Sequence, residues 1–165
     1  MYQRNWQRKN IWPRKKGKQE ISKNVSTYLQ QEKDQKLHSI IRLKEFTNNV
    51  KLQRKKLWRL LIDLQNQGKT IAAISAPAKG NTLLNYCKID SELLKFVTEK
   101  NPIKLNTFTP GMHIPVFSDS YLLEKLPDYA IILAWNFAKE IMLNNKKYHE
   151  MGGKFIIPIP IPTII

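Results

Sequence analysis

Residues 70–85 read "TIAAISAPAKGNTLLN". The apolar run Thr70–Ile74 has the length and β-branched content of a buried strand. Pro77, Lys79 and Gly80 then crowd a short turn, and Thr82–Cys87 continues as a helix. Strand, tight turn and helix start form one unit of a parallel α/β sheet. The same unit presents backbone N–H groups and a positive dipole end to an anion. Pro77 suits a first helical turn. Ser75 is a candidate cap for one orphan N–H. Lys79 would add a full charge, and Gly80 would let the helix close on the sheet. Neither GxxxxGK[ST] nor GxGxxG is present, so an ordinary βα turn with a solvated lysine competes with a phosphate turn.

Downstream, the alternation continues. Leu94–Thr98 reads as a second strand, and Ile114–Phe117 as a short one after the irregular stretch "NPIKLNTFTPGMHIP". A short helix is expected over Asp119–Leu126, a buried strand over Tyr129–Leu133, a helix over Phe137–Met151 and a last strand over Lys154–Ile159. Strands alternating with helices predict a mostly parallel sheet covered on both faces, a Rossmann-like α/β fold. Such sheets bind ligands at the carboxyl ends of their strands, here "SAPAKG", "EKNP", "AWN" and "PIPIP".

Upstream, Ser39–Gln67 carries apolar residues mostly three and four apart, the pattern of a long amphipathic helix, with Gly68 as its stop. Ser22 to Lys36 reads as a shorter helix capped by Ser22. The expected organisation is a basic disordered arm over 1–20, a helical segment over 21–68 that packs on the domain, and an α/β domain over 69–165.

The formal charge of +15 is uneven. Residues 1–69 hold 18 Lys and Arg against five acids, and residues 70–165 hold ten against eight. A basic end of this kind fits nucleic acid or an acidic surface, but a solvated helix face with a loose arm needs no partner and is the preferred reading. The lone cysteine, Cys87, supports neither a disulfide framework nor a cysteine zinc site, which suits the reducing cytoplasm. No apolar run reaches the ~18 residues of a membrane span.

Four further positions stand out. Glu99 follows the second strand, where dinucleotide folds place an acid on a ribose hydroxyl; a surface glutamate is the plainer reading. His113 lies in a Pro/Gly loop, as a ligand contact or as a residue holding backbone. Asn136 suits the N-cap of "FAKEI", and with Trp135 it offers an amide and a ring to a base or sugar. The spacing of the three histidines gives no metal site, and no nucleophile–base–orienter set appears.

Taken together, "SAPAKGNTLLNY", "NPIK", "PGMHIPV", "PDYAIILAWNFAKEI" and "GGKFIIPIP" resemble the C-terminal domain of S-adenosylmethionine-dependent sugar C-methyltransferases, over roughly Val25 to Pro160. The resemblance implies a substrate-binding, Rossmann-like domain that holds a nucleotide-diphosphate keto-sugar. It implies that the zinc region and the methyl-transfer domain, with its S-adenosylmethionine site and general base, belong to parts outside this sequence. A separate methyl-transfer domain or subunit is the implied partner, and no cofactor is expected on this chain. Lys79, Gly80, Asn81, Asn101, Lys104, Pro110, Gly111, Trp135 and Asn136 match the family's motifs. Ala73 and Ser75 stand where the family usually has glycine, and Glu99 where it commonly has Asp. The implied substrate-binding set is therefore Ser75, Lys79, Gly80, Asn81, Glu99, Asn101, Lys104, His113, Trp135 and Asn136.

Overall fold

The computed structural model describes residues 22–165, so the basic arm expected over 1–20 lies outside the described residues. The chain divides into two compact units, one ending at Lys44 and one running from Glu45 to Ile165. In the first, helix α1 (Lys23–Asp34) buries none of its residues. Ser22 stands at its N-cap, as expected. Its hydroxyl makes no cap bond, and its carbonyl accepts from the Val25 N–H at 3.0 Å.

Helix α2 (Ile40–Asn66) crosses the division and sinks Leu57, Leu61 and Leu64 into the core. Their spacing of four and three puts them on one face, and burial of each is worth about 1.5–3 kcal/mol. Gly68 ends the helix in the left-handed region, φ 73°. The Lys69 N–H reaches the Leu64 carbonyl at 3.1 Å and the Gly68 N–H reaches Gln65 at 2.9 Å. These two bonds make a Schellman closure, which a residue without Cβ adopts without strain.

The rest is an α/β sheet. Strand β1 (Ile71–Ile74) leads into α3 (Ala78–Cys87) and β2 (Val97–Glu99). A 3-10 turn (Pro102–Lys104), β3 (Thr107–Phe108), β4 (Pro115–Ser118) and α4 (Ser120–Lys125) follow. Then come β5 (Tyr129–Ile132), a 3-10 turn (Trp135–Phe137), α5 (Ala138–Asn144), α6 (Lys146–Glu150), β6 (Lys154–Ile157) and β7 (Thr163–Ile164). The order across the sheet is β3-β4-β2-β1-β5-β6-β7. All neighbours are parallel except the edge pairs β3–β4 and β6–β7.

Residues of β1 and β5 are all buried, because helices cover both faces of their part of the sheet. Ile71, Ala73, Tyr129 and Ile131 face the layer that holds α2 and α3. Ile74, Ala130 and Ile132 face the layer of α4, α5 and α6. The chain runs β1, β2, β4 outward on one side and returns to β5 on the other. The order therefore reverses between β1 and β5, and a crevice opens at their carboxyl ends.

Several expectations change in detail. The helix foreseen over Phe137–Met151 is broken at Asn145, whose side-chain amide donates to the Ile141 carbonyl at 2.8 Å. The break lets α6 bury Tyr148, whose hydroxyl donates to the Pro127 carbonyl at 2.8 Å. The irregular stretch contains β3, and the last strand stops at Ile157 and is joined by β7. The second strand begins at Val97 rather than Leu94, although the Lys95 N–H already bonds the Ile71 carbonyl at 2.9 Å.

One ionic clamp aligns β1 with β5. The Asp128 carboxylate accepts from the Thr70 N–H and hydroxyl, both at 2.8 Å, and from Lys69 Nζ at 3.1 Å. The Thr70 bonds are the main reason that Asp128 titrates at about 2, below its ordinary 3.8; slight burial opposes them and Lys69 assists. A depressed carboxyl stabilises the fold above its unfolded value and loses that contribution as pH falls through the folded one. Asp128→Asn is expected to cost about 1 kcal/mol at neutral pH, a charge-assisted contribution discounted for exposure. It should also flatten the loss of stability between pH 3.8 and about 2. Urea unfolding across that range checks it, and an unchanged acid limb would exclude the clamp.

Candidate functional site

The crevice is built by the loops that leave β1, β2 and β5. The loop after β1 begins with Ser75 in the left-handed region, φ 71°, where a non-glycine residue is strained. Its N–H bonds the Thr98 carbonyl at 2.8 Å. Ser75 is not the helix cap. Pro77 holds that position, and no side chain caps α3. The first intrahelical bond runs from the Asn81 N–H to the Pro77 carbonyl, so Ala78, Lys79 and Gly80 contribute the orphan N–H groups of the helix start.

Gly80 is a packing residue. A Cβ there would lie 2.6 Å from Leu133 Cβ and 3.3 Å from its carbonyl oxygen. Its absence lets α3 sit directly on the end of β5. Lys79 is half-buried, with Nζ 4.8 Å from the centre of the Trp135 ring and 5.6 Å from that of Phe137. Cation–π attraction holds it there. No ion pair with a carboxylate is formed by Lys79 among the described residues.

Glu99, by contrast, is fully engaged. Its carboxylate accepts from the Ala76 N–H at 3.0 Å, the Lys100 N–H at 2.9 Å, the Asn101 N–H at 3.1 Å and Lys104 Nζ at 3.3 Å. Lys104 also donates to the Ala76 carbonyl at 2.9 Å. Glu99 and Lys104 therefore bolt the β1 loop to the β2 loop. Burial works to raise the Glu99 carboxyl, but the bonds from Asn101, Ala76 and Lys104 prevail and hold it below its usual value. Asn101 caps the next turn, its side chain accepting from the Ile103 N–H at 3.1 Å.

Beside this bolt lies a cleft of about 640 Å³, within the range of small-ligand sites. Ala76, Pro77 and Asn81 form one wall, and Ile103, Lys104, Thr107 and Phe108 the other. Asn81 Oδ1 is buried there without a hydrogen-bond partner. Of the expected residues, Asn81 and Lys104 line the cleft. Ser75, Lys79, Gly80, Glu99, Asn101, Trp135 and Asn136 surround the strand ends beside it.

His113 is not brought to the cleft. It is exposed on the turn between Thr109 and Ile114, at φ 51°. That turn is fastened to α3 by Asn85, whose amide donates to the Pro110 carbonyl at 2.9 Å. Asn136 is exposed inside the 3-10 turn and caps no helix; α5 begins after Phe137.

Sequence reasoning missed Thr107 and Phe108, whose short strand has too few residues for a period, and Asp119 beyond β4. Burial pushes the Asp119 carboxyl up, Lys100 pulls it back and Glu99 adds to the rise. Among the described residues no cluster of His, Cys, Asp and Glu suits a metal ion. No helix among them is long and apolar enough to cross a membrane.

Residues 8–160 match the family model described as the C-methyltransferase C-terminal domain. The chain is also 34% identical over 146 residues to the C-methyltransferase NovU of Streptomyces niveus, an alignment that covers 88% of this chain and 35% of that protein. It thus spans about a third of the length of that relative.

Two substitutions test this construction. Glu99→Gln removes the charge that ties the loops, and the Ala76, Lys100 and Asn101 amides should exchange about tenfold faster, the equivalent of about 1.4 kcal/mol. In the parent, the same protection is complete above the ordinary value of 4.5 and declines as pH falls below it. Exchange corrected for intrinsic pH dependence reads both; unaltered protection in the variant would refute the bolt. Gly80→Ala should cost about 1–3 kcal/mol in urea unfolding, because α3 must lift off Leu133.

Proposed function

The chain belongs to the C-methyltransferase C-terminal domain family, and on that premise we propose that it binds the nucleotide-diphosphate keto-sugar that such an enzyme methylates at carbon. The observation that carries this reading is the charge state of the crevice. Lys104 is committed to Glu99 and Ala76, whereas Lys79 rests only on aromatic faces. Lys79 is thus the cation available to a diphosphate at the uncapped start of α3, where orphan N–H groups and the helix dipole add to it.

The neighbouring cleft suits the remainder of such a ligand. Its walls are largely apolar, with Asn81, Lys104 and the hydroxyls of Thr82, Thr107 and Thr109 as polar points. Trp135 offers a ring face for a base or sugar. Glu99 acts as the positioning residue of the β1 and β2 loops in this reading, and leaves the ribose to other groups. Ser75 narrows the approach, because its hydroxymethyl group stands where the backbone already adopts a glycine-like conformation.

The strand ends do not suit the methyl donor. S-adenosylmethionine carries a sulfonium cation, and the charges at the crevice are the cations of Lys79 and Lys104, a Glu99 already saturated by its donors, and Asp119 set against Lys100 at 3.8 Å. The methyl donor and the general base are accordingly assigned to the part of the enzyme that corresponds to the remaining length of the relative. The chain, in this reading, is the substrate-holding partner of a methyl-transfer domain or subunit.

Calorimetry with a thymidine-diphosphate sugar tests the binding. The parent chain should bind, and Lys79→Ala should weaken binding at least about tenfold, the loss of one charge-assisted contact. A folded chain that binds no nucleotide sugar overturns the proposal. The purified chain is expected to transfer no methyl group from S-adenosylmethionine, and turnover would refute the assignment of the donor site elsewhere.

A further inference from the structure

A second concavity, of about 930 Å³, lies between α2 and the carboxyl end of α3. It is at the opposite end of α3 from the uncapped start. From α2 it receives the cations of Lys51, Arg54, Lys55 and Arg59 together with the indole of Trp58, and from the end of α3 the ring of Tyr86 and the cation of Lys88. No carboxylate lines it. Trp58 is 45% exposed and Tyr86 39%. Arg54 lies over the Tyr86 ring at 5.3 Å. Arg59 has an acid near it, Asp63 at 3.8 Å, and both are exposed.

This arrangement is not neutral for the helix. Lys51, Lys55 and Arg59 stand four apart, so their like charges face one another along one stripe and disfavour the helix by roughly 0.2–0.5 kcal/mol per pair. Carboxylates on an opposing surface would turn that repulsion into attraction. Trp, Tyr and Arg are also the residues most often found as anchors of protein interfaces. From Lys51 to Arg59 the stripe runs about 12 Å along the axis, a little over two turns. A single nucleic-acid strand follows longer basic tracks of about 4–16 nucleotides; two turns of a partner helix match this one.

We propose that the α2/α3 groove docks an acidic helical segment of a protein partner. Carboxylates spaced three and four apart would meet Lys51, Lys55 and Arg59, and an apolar side chain would enter between Trp58 and Tyr86. The inference stands on the groove alone and does not need the nucleotide-sugar reading.

Fluorescence anisotropy on the full chain tests it with three labelled probes. One is a helical peptide with Glu on a single face around a central Leu. The second is its scramble of equal composition, and the third is an oligothymidylate. At low salt the one-face peptide should bind, at least tenfold tighter than either other probe, and added salt should weaken it. Trp58→Ala and Arg54→Glu/Lys55→Glu should each weaken it at least tenfold, with circular dichroism and the unfolding midpoint as in the parent. If the double variant fails to fold, Lys55→Glu alone, at an exposed position, replaces it. Lys79→Ala should leave peptide binding unchanged, which separates this outcome from the fate of the crevice. Absence of peptide binding, equal binding of the scramble, insensitivity to Trp58→Ala, or tighter binding of oligothymidylate would each overturn the proposal.

Discussion

The parallel pairing of β1 with β5 is the constraint on which the remaining architecture depends. It runs in register from Ile71↔Tyr129 to Ile74↔Ile132, and all eight residues are buried. Asp128 ties the amino end through Thr70, and the contact of Gly80 with Leu133 closes the carboxyl end. A slip of one residue would exchange the two faces of β5 and move Ile131 and Ala130 into the wrong layers. Because the sheet order reverses at this pair, the alignment also decides where the crevice opens.

Around that crevice, the charges are divided between holding the loops and remaining available. Glu99 and Lys104 satisfy one another and the backbone of Ala76, which makes the β1 and β2 loops one rigid edge. Lys79 has no such carboxylate and leans on Trp135 and Phe137. A cation on an aromatic face gives up part of its hydration and keeps its charge, and so stays attractive to an anion. Glu99 at the strand end accordingly bears on loop geometry before it bears on any ligand.

Much of the fold was legible in the residues. The apolar runs at Ile71–Ile74 and Tyr129–Ile132, the three-four spacing along α2 and the stop at Gly68 each have a local cause. The break at Asn145 was not legible, because helix propensity continues through "IMLNNKKYHE" and the deciding factor is the burial of Tyr148 against Pro127. β3 and β7 escaped for a related reason: two residues carry no periodicity, and only an existing edge strand gives them a partner. At the site, the cluster of motifs at the strand ends located the crevice, but the roles of Ser75 and Asn136 as caps did not hold.

By itself, the sequence determined that the chain makes a mostly parallel α/β sheet after a long amphipathic helix, and that its polar features gather at the strand ends. Those follow from periodicity and turn chemistry, which act over a few neighbouring residues. Only the tertiary structure decided that Glu99 is spent on Ala76 and Lys104, that Lys79 is held by Trp135 from the distant turn after β5, and that His113 stands apart on its own turn. Hydrogen-bond saturation and aromatic contact depend on which loops meet across the sheet, and that meeting is set by the reversal between β1 and β5.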